Sequence, residues 1–169
     1  GTYGAEETFP LLPEGESFKG VGGADVTIIE GPGTGASNTM IMNSPWTGDF
    51  VEGITFTNGG TGTGGALFIS IYNGLAAPDS PRISDCVFSD NTAASGSGGA
   101  VRVAAGTTLA HPLIENCLFI RNETSTDGGA LKLDGTVSVT LTGNAFIDNT
   151  AESGGAMIVT TADAPLVCT

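Results

Sequence analysis

The chain has 169 residues, 18 acidic and five basic side chains, and a net charge of −13. That length suffices for one domain with a sizeable core, and the charge argues against a nucleic-acid partner, because phosphate binding needs a basic patch. No apolar stretch approaches the ~20 residues of a membrane helix, no leader is recognisable, and three cysteines are too few for a disulfide-dense scaffold. The 27 glycines, with abundant Ala, Thr, Ser and Asn, suit short strands joined by many turns. An acidic, lysine-poor surface resists non-specific association and suits an extracellular or salty setting.

Residues 1–50 read as irregular first coils, and a repeat begins at residue 51. Its first copy is Gly53-Ile-Thr-Phe-Thr-Asn58, followed by Gly64-Gly65-Ala66-Leu67. The second is Ile83-Ser-Asp-Cys-Val-Phe-Ser-Asp-Asn91, followed by Gly98-Gly99-Ala100-Val101. The third is Ile114-Glu-Asn-Cys-Leu-Phe-Ile-Arg-Asn122, followed by Gly128-Gly129-Ala130-Leu131. The fourth is Leu141-Thr-Gly-Asn-Ala-Phe-Ile-Asp-Asn149, followed by Gly154-Gly155-Ala156-Met157. Phe56, Phe88, Phe119 and Phe146 lie 32, 31 and 27 residues apart, and the Gly-Gly pairs 34, 30 and 26 apart. Two independent markers shrink in step, which chance would not arrange.

Within each unit the pattern has period two. Cys86 shares a face with Phe88, Cys117 with Phe119, and Asn144 with Phe146. Val101-Arg102-Val103 and Leu131-Lys132-Leu133 also alternate. One such unit cannot bury its apolar face alone, but stacked copies can, strand on matching strand. The expected fold is therefore all-β, a parallel β-helix (solenoid) of about five to six coils in a single domain, residues 1–169. Regular coils span 51–163, and 164–169 start a further one, because Pro165-Leu-Val167 resembles Pro81-Arg-Ile83 and Pro112-Leu-Ile114. The four phenylalanines form an interior stack. Gly-Gly permits a corner that a Cβ would block, and the following Ala leaves room for large side chains opposite. Asn91, Asn122 and Asn149 sit where the strand turns, tolerate the left-handed conformation, and can bond to one another along the axis. That ladder makes Asn122-Glu-Thr124 a poor glycosylation acceptor. In Phe56-Thr-Asn58-Gly59 the Asn comes one residue early, so the ladder is not expected to include it.

The Phe-x-x-Asn and Gly-Gly-Ala-[Ile/Val/Leu] pattern over roughly residues 50–160 resembles the repeats of chlamydial polymorphic outer-membrane proteins. Related repeats occur in bacterial surface proteins with a pectate-lyase-like β-helix. The resemblance implies right-handed coiling. The stretch from Gly1 through Phe9-Pro-Leu-Leu-Pro-Glu-Gly15 to Ile29 resembles the first coils of other bacterial β-helix proteins.

Enzymes share that architecture, so catalytic groups must be sought one by one. A lyase needs clustered acids for calcium and a nearby basic residue; polygalacturonases use several Asp on one face with a His. Asp90, Arg121 and Asp148, two residues after successive Phe, alternate in sign and read as a surface charge ladder. Arg102 and Lys132 occupy equivalent outward positions between Phe68 and Ile158, a candidate surface or ligand stripe or an ordinary solvated face. His111 precedes Pro112 in a loop, and nothing in the sequence places a carboxylate or nucleophile with it. Cys86 and Cys117 fall at one inward position and read as packing thiols, with a disulfide between them as the alternative that distance allows and parallel side-chain directions disfavour; Cys168 is a candidate interchain thiol. Glu123, Asp127 and Glu152 do not make a calcium set, and Thr55, Thr57, Thr61 and Thr63 form no regular array across coils. No catalytic, cofactor or metal residues are assigned and no cofactor is implied. The expectation is a non-catalytic, extracellular or cell-surface module of bacterial or archaeal type, a stalk segment, adhesin or filament subunit. Self-association through the solenoid ends is expected, with carbohydrate or a cell-surface group as a further ligand and without membrane insertion. The alternative is a carbohydrate-active enzyme or carbohydrate-binding module.

Overall fold

The computed structural model describes residues 1–3, 11, 17–33, 38–43, 48–60, 62–71, 81–94, 96–161 and 166–169. The Phe9-Pro-Leu-Leu-Pro-Glu-Gly15 stretch, apart from Leu11, and Thr61 and Pro165 lie outside the described residues. Strands β1 (Thr2–Tyr3), β2 (Phe18–Lys19), β3 (Ile28–Glu30) and β4 (Met40–Asn43) come first. A first regular turn holds β5 (Phe50–Glu52), β6 (Thr55–Thr57) and β7 (Leu67–Ile71). A second holds β8 (Arg82–Ser84), β9 (Val87–Ser89), β10 (Thr92–Ala93) and β11 (Val101–Ala110). A third holds β12 (Leu113–Glu115), β13 (Leu118–Ile120), β14 (Glu123–Thr124) and β15 (Leu131–Val137). A fourth holds β16 (Thr140–Thr142), β17 (Ala145–Ile147) and β18 (Met157–Thr161), and β19 (Val167–Cys168) follows.

Every pairing is parallel and joins equivalent positions of successive turns. The first sheet runs β1-β3-β6-β9-β13-β17, the second β4-β7-β11-β15-β18, and the third β2-β5-β8-β12-β16-β19; β10 and β14 pair separately. The described chain is thus an all-β parallel solenoid without helices. It has about four turns rather than the expected five to six. Only those four carry the full Phe and Gly-Gly-Ala register. β1 to β4, an isolated bridge at Leu11 and β19 extend the sheets as short outlying levels.

The phenylalanines form the expected stack. Successive ring centroids lie 5.3, 5.0 and 4.8 Å apart, with planes within 8° of parallel. Phe56, Phe88 and Phe119 are fully buried, and Phe146, on the last turn, is half-buried. Each fully buried ring contributes roughly 1.5–3 kcal/mol of transfer free energy. Ala66, Ala100 and Ala130 are buried in the same core.

The corners differ from expectation in one respect. The left-handed residue is not the ladder asparagine but the residue before it: Asn58, Asp90, Arg121 and Asp148 have φ of 51–56°. Reversing the chain one residue early turns the next side chain inward. Asn91 and Asn122 are therefore buried and aligned along the axis. Asn122 Oδ1 accepts from the N–H and Nδ2 of Asn91 at 3.2 and 2.9 Å, and Asn149 Oδ1 accepts from the same groups of Asn122 at 3.0 and 2.9 Å. Each Nδ2 also donates to a phenylalanine carbonyl one turn earlier, at 2.9–3.1 Å. The displaced Asn58 takes the left-handed site, and Gly59 takes the ladder position. Its N–H donates to Asn91 Oδ1 at 2.9 Å, which closes the ladder there. A second set of left-handed residues, Asp85 and Asn116 with glycine at 53 and 143, lies three residues before each Phe.

The two glycines of each pair serve different needs. Gly128 has φ of 68°, a conformation costly for a residue with a Cβ. Gly129 faces the next turn, where a Cβ would meet Gly155 O at 1.9 Å. Asn122→Ala should destabilise the fold by about 3 kcal/mol, since it strands two buried donors of Asn91. Asn149→Ala, at a half-buried site, should cost less. Chemical denaturation of the two variants checks the order.

Candidate functional site

The outward stripe forms as the register demands. Phe68, Arg102, Lys132 and Ile158 lie side by side on β7, β11, β15 and β18. Its cations are already engaged. Arg102 holds Asp134 with two bonds, Nε to Oδ2 at 2.7 Å and Nη2 to Oδ1 at 3.1 Å. Its Nη1 reaches Thr63 Oγ1 at 3.3 Å, and the guanidinium lies 5.7 Å from the centre of the Phe68 ring. Lys132 Nζ donates to Asp127 Oδ2 at 2.9 Å and to Ser97 Oγ at 3.2 Å. The basic spot is therefore neutralised by carboxylates. Asp134 was not singled out from the sequence, although its place two residues after Lys132 puts it on the same face of the strand.

The surface ladder forms in part. Arg121 grips Asp90 through Nε and Nη2 at 2.7 and 2.8 Å, and the Asp90 carboxylate raises its pKa. Asp148 acts on Arg121 only as a nearby charge. Both ends of the Arg121–Asp90 pair are about half exposed, so solvent screens it and its contribution to stability is small.

A further chain of charges, not anticipated from the sequence, runs over the outer face of the third sheet. Lys19 pairs with Glu52 at 2.7 Å, Arg82 approaches Glu52 at 3.7 Å, and Arg82 Nε donates to Glu115. The signal lay in the repeat: Glu52, Ser84 and Glu115 share one register position, two residues beyond that of Phe50, Arg82 and Leu113. All five basic side chains of the molecule are thus ion-paired. Ser84, between the two glutamates, has a buried hydroxyl without a hydrogen-bond partner among the described residues. His111 is exposed.

Cys86 and Cys117 are free and buried, and Cys168 is free and exposed. The Sγ of Cys86 donates to Ser84 O at 3.2 Å, and that of Cys117 to Glu115 O at 3.2 Å. The adjacent Cys86 thiol, and then burial, hold the Cys117 thiol far above the ordinary thiol range. Asn144 takes the equivalent place one turn on. Its Oδ1 accepts from Cys117 N at 2.9 Å and its Nδ2 donates to Ile114 O at 2.8 Å, a single rung of a second amide ladder. Among the described residues no group of three or more His, Cys, Asp or Glu side chains could hold a metal ion.

No family model, no curated protein and no solved structure matches this chain. The reading of the surface therefore rests on its own residues.

Two outcomes follow. In the native protein a thiol reagent should label Cys168 within minutes and leave Cys86 and Cys117 untouched until denaturant is added. Labelling of all three in the folded state would contradict their burial. Arg121→Asn should leave the unfolding midpoint close to that of the parent. The lost pair is exposed and screened, and Asn bears the left-handed conformation better than Arg. Thermal or denaturant unfolding measures the difference.

Proposed function

We propose that this chain is a non-catalytic structural or adhesive module of an extracellular or cell-surface protein, a stalk segment or filament subunit built to extend along its axis. One observation carries the reading: the basic side chains serve as rungs between turns. Lys19–Glu52, Arg82–Glu115, Arg102–Asp134 and Arg121–Asp90 each join neighbouring turns, and Lys132 reaches Ser97 across the same gap. Lyase-type sugar cleavage on such a surface would require a basic residue free to meet substrate. Here every cation already answers a carboxylate, and the acids nearest the stripe, Asp127 and Asp134, are the ones that answer.

The resemblance of the Phe-x-x-Asn and Gly-Gly-Ala repeats to those of chlamydial polymorphic outer-membrane proteins supports a surface location. With it goes the right-handed, pectate-lyase-like coiling and the bacterial or archaeal origin that form part of this proposal. The acidic excess favours a role in which the flanks stay clear of other molecules.

Incubation with neutral and acidic polysaccharides, followed by assays for new reducing ends and for unsaturated products, should give no turnover. Cleavage of any of them would replace this reading by the carbohydrate-active one. The rungs also set an acid limit. Hydrogen bonding from Lys19, aided by the charges of Lys19 and Arg82, holds the Glu52 carboxyl below its usual 4.5. A carboxyl lowered in the folded state stabilises the fold above its unfolded pKa, and that contribution is lost as pH falls through the folded value. Thermal midpoints should therefore drop on acidification below the usual carboxylate pKa, and Glu52→Gln should make that drop shallower.

A further inference from the structure

The corner after Phe56 differs in sequence from the equivalent corners of the later turns. Those read Asp90-Asn91, Arg121-Asn122 and Asp148-Asn149, whereas this one reads Asn58-Gly59. Contact requires the glycine. A Cβ on Gly59 would meet Gly65 O at 2.5 Å and Asn91 Oδ1 at 2.7 Å. The residue before it must be left-handed, with φ of 53°, a conformation that Asn bears well. The two demands together set an asparagine directly before a glycine. In an unstructured chain that pair readily loses the side-chain amide, because no Cβ on the glycine shields its nitrogen from the asparagine Cγ.

In that reaction hydroxide or water, acting as base, takes the proton of the Gly59 N–H. The nitrogen attacks Asn58 Cγ, the new N–C bond closes a cyclic imide, and Nδ2 leaves as ammonia. Water then opens the imide at either carbonyl, which leaves aspartate or isoaspartate at position 58. The Asn58 side chain is exposed, so water reaches it.

The nitrogen is held out of reach. Gly59 is buried, and its N–H donates to Asn91 Oδ1 at 2.9 Å. On the other side of the same peptide unit, Asn58 O accepts from Gly33 N at 2.9 Å. The peptide is thus pinned by the levels before and after it, and ring closure would turn it away from both. Asn91 is itself fixed. It is fully buried, and its Nδ2 donates to Phe56 O at 3.1 Å and to Asn122 Oδ1 at 2.9 Å.

We propose that Asn58–Gly59 is a deamidation site that the fold holds closed, and that Asn91 is the residue that holds it. Reaction waits on local opening of the corner, so its rate follows the open fraction. The first rung of the amide ladder therefore protects the covalent chain as well as joining two turns. This inference is independent of the scaffold reading, and polysaccharide cleavage would leave it standing.

The full chain is kept at one mildly alkaline pH, native and in denaturant, and mapped by peptide mass spectrometry with isoaspartate detection. Mapping separates Asn58 from Asn73-Gly74, which lies outside the described residues. Asn58 should lose its amide at least about tenfold more slowly in the native chain, as expected when reaction waits on breaking a buried hydrogen bond. Asn91→Ala should remove most of that protection under native conditions. Asn122→Ala also weakens the ladder but leaves Asn91 Oδ1 on Gly59, so it should react at Asn58 more slowly than Asn91→Ala. Hydrogen exchange of the parent needs no variant, and the Gly59 amide should be among the protected ones. A native parent that reacts at Asn58 as fast as the denatured chain, or a freely exchanging Gly59 amide, would overturn the proposal. So would an Asn91→Ala variant that reacts no faster than Asn122→Ala.

Discussion

The spacing of parallel strands, about 4.8 Å, is the constraint on which this solenoid depends. Each residue meets its own counterpart one turn away at nearly that distance, so a position can hold only what stacks on itself. Flat rings satisfy the rule, and the phenylalanines lie 4.8–5.3 Å apart with nearly parallel planes. Primary amides satisfy it too, because Oδ1 and Nδ2 lie on opposite sides of one group and reach both neighbours. A glycine satisfies it where backbone meets backbone, as Gly129 does beneath Gly155. Like charges do not. On the third sheet Glu52 and Glu115 are separated by Ser84, and Arg82 draws both together.

The corners show the same constraint acting on the backbone. Placing Asn91 and Asn122 inside, aligned with the axis, requires a left-handed residue immediately before them. Asn and Asp bear that conformation well, whereas arginine bears it poorly. Arg121 nevertheless occupies the site, gripping Asp90 on the preceding turn. The exposed pair is screened by solvent, and its small gain is set against the strained φ. The arginine is thus close to neutral for stability. Its effect is on charge: in an acidic molecule it stands between Asp90 and Asp148, two carboxylates of one column.

Much of this was readable before the structure, and the reason is the repeat. Phe56, Phe88, Phe119 and Phe146 announced their stack because a self-stacking position must keep its residue type. Cys86 and Cys117 likewise announced a shared inward site. The left-handed corner was misplaced by one residue because Asn is both the commonest left-handed residue and a ladder former, and sequence does not separate the roles. Asn58 held the clue: an asparagine at the earlier position, followed by glycine where the ladder amide belongs. The ion pairs of Lys19, Glu52, Arg82 and Glu115 were missed for a different reason. Lys19 and Glu52 face each other directly in register, whereas the contacts of Arg82 follow diagonals between turns, and the unequal turn lengths hide both until strand register is known. The single rung of the second amide ladder, Asn144, was visible as the substitute for Cys117 but not as a rung, because its hydrogen bonds run to the backbone of the turn before.

The charge distribution bears on how such a molecule could associate. The chain has a net charge of −13 and all five cations are consumed internally, so its flanks are acidic. Side-by-side contact between two copies would bring like charges together at close range. That repulsion is a property of charge and is screened by salt, whereas the stacked rings, amide ladder and parallel strands that hold the turns together are not. Raising ionic strength would therefore weaken the separation of the flanks far more than the cohesion of the turns.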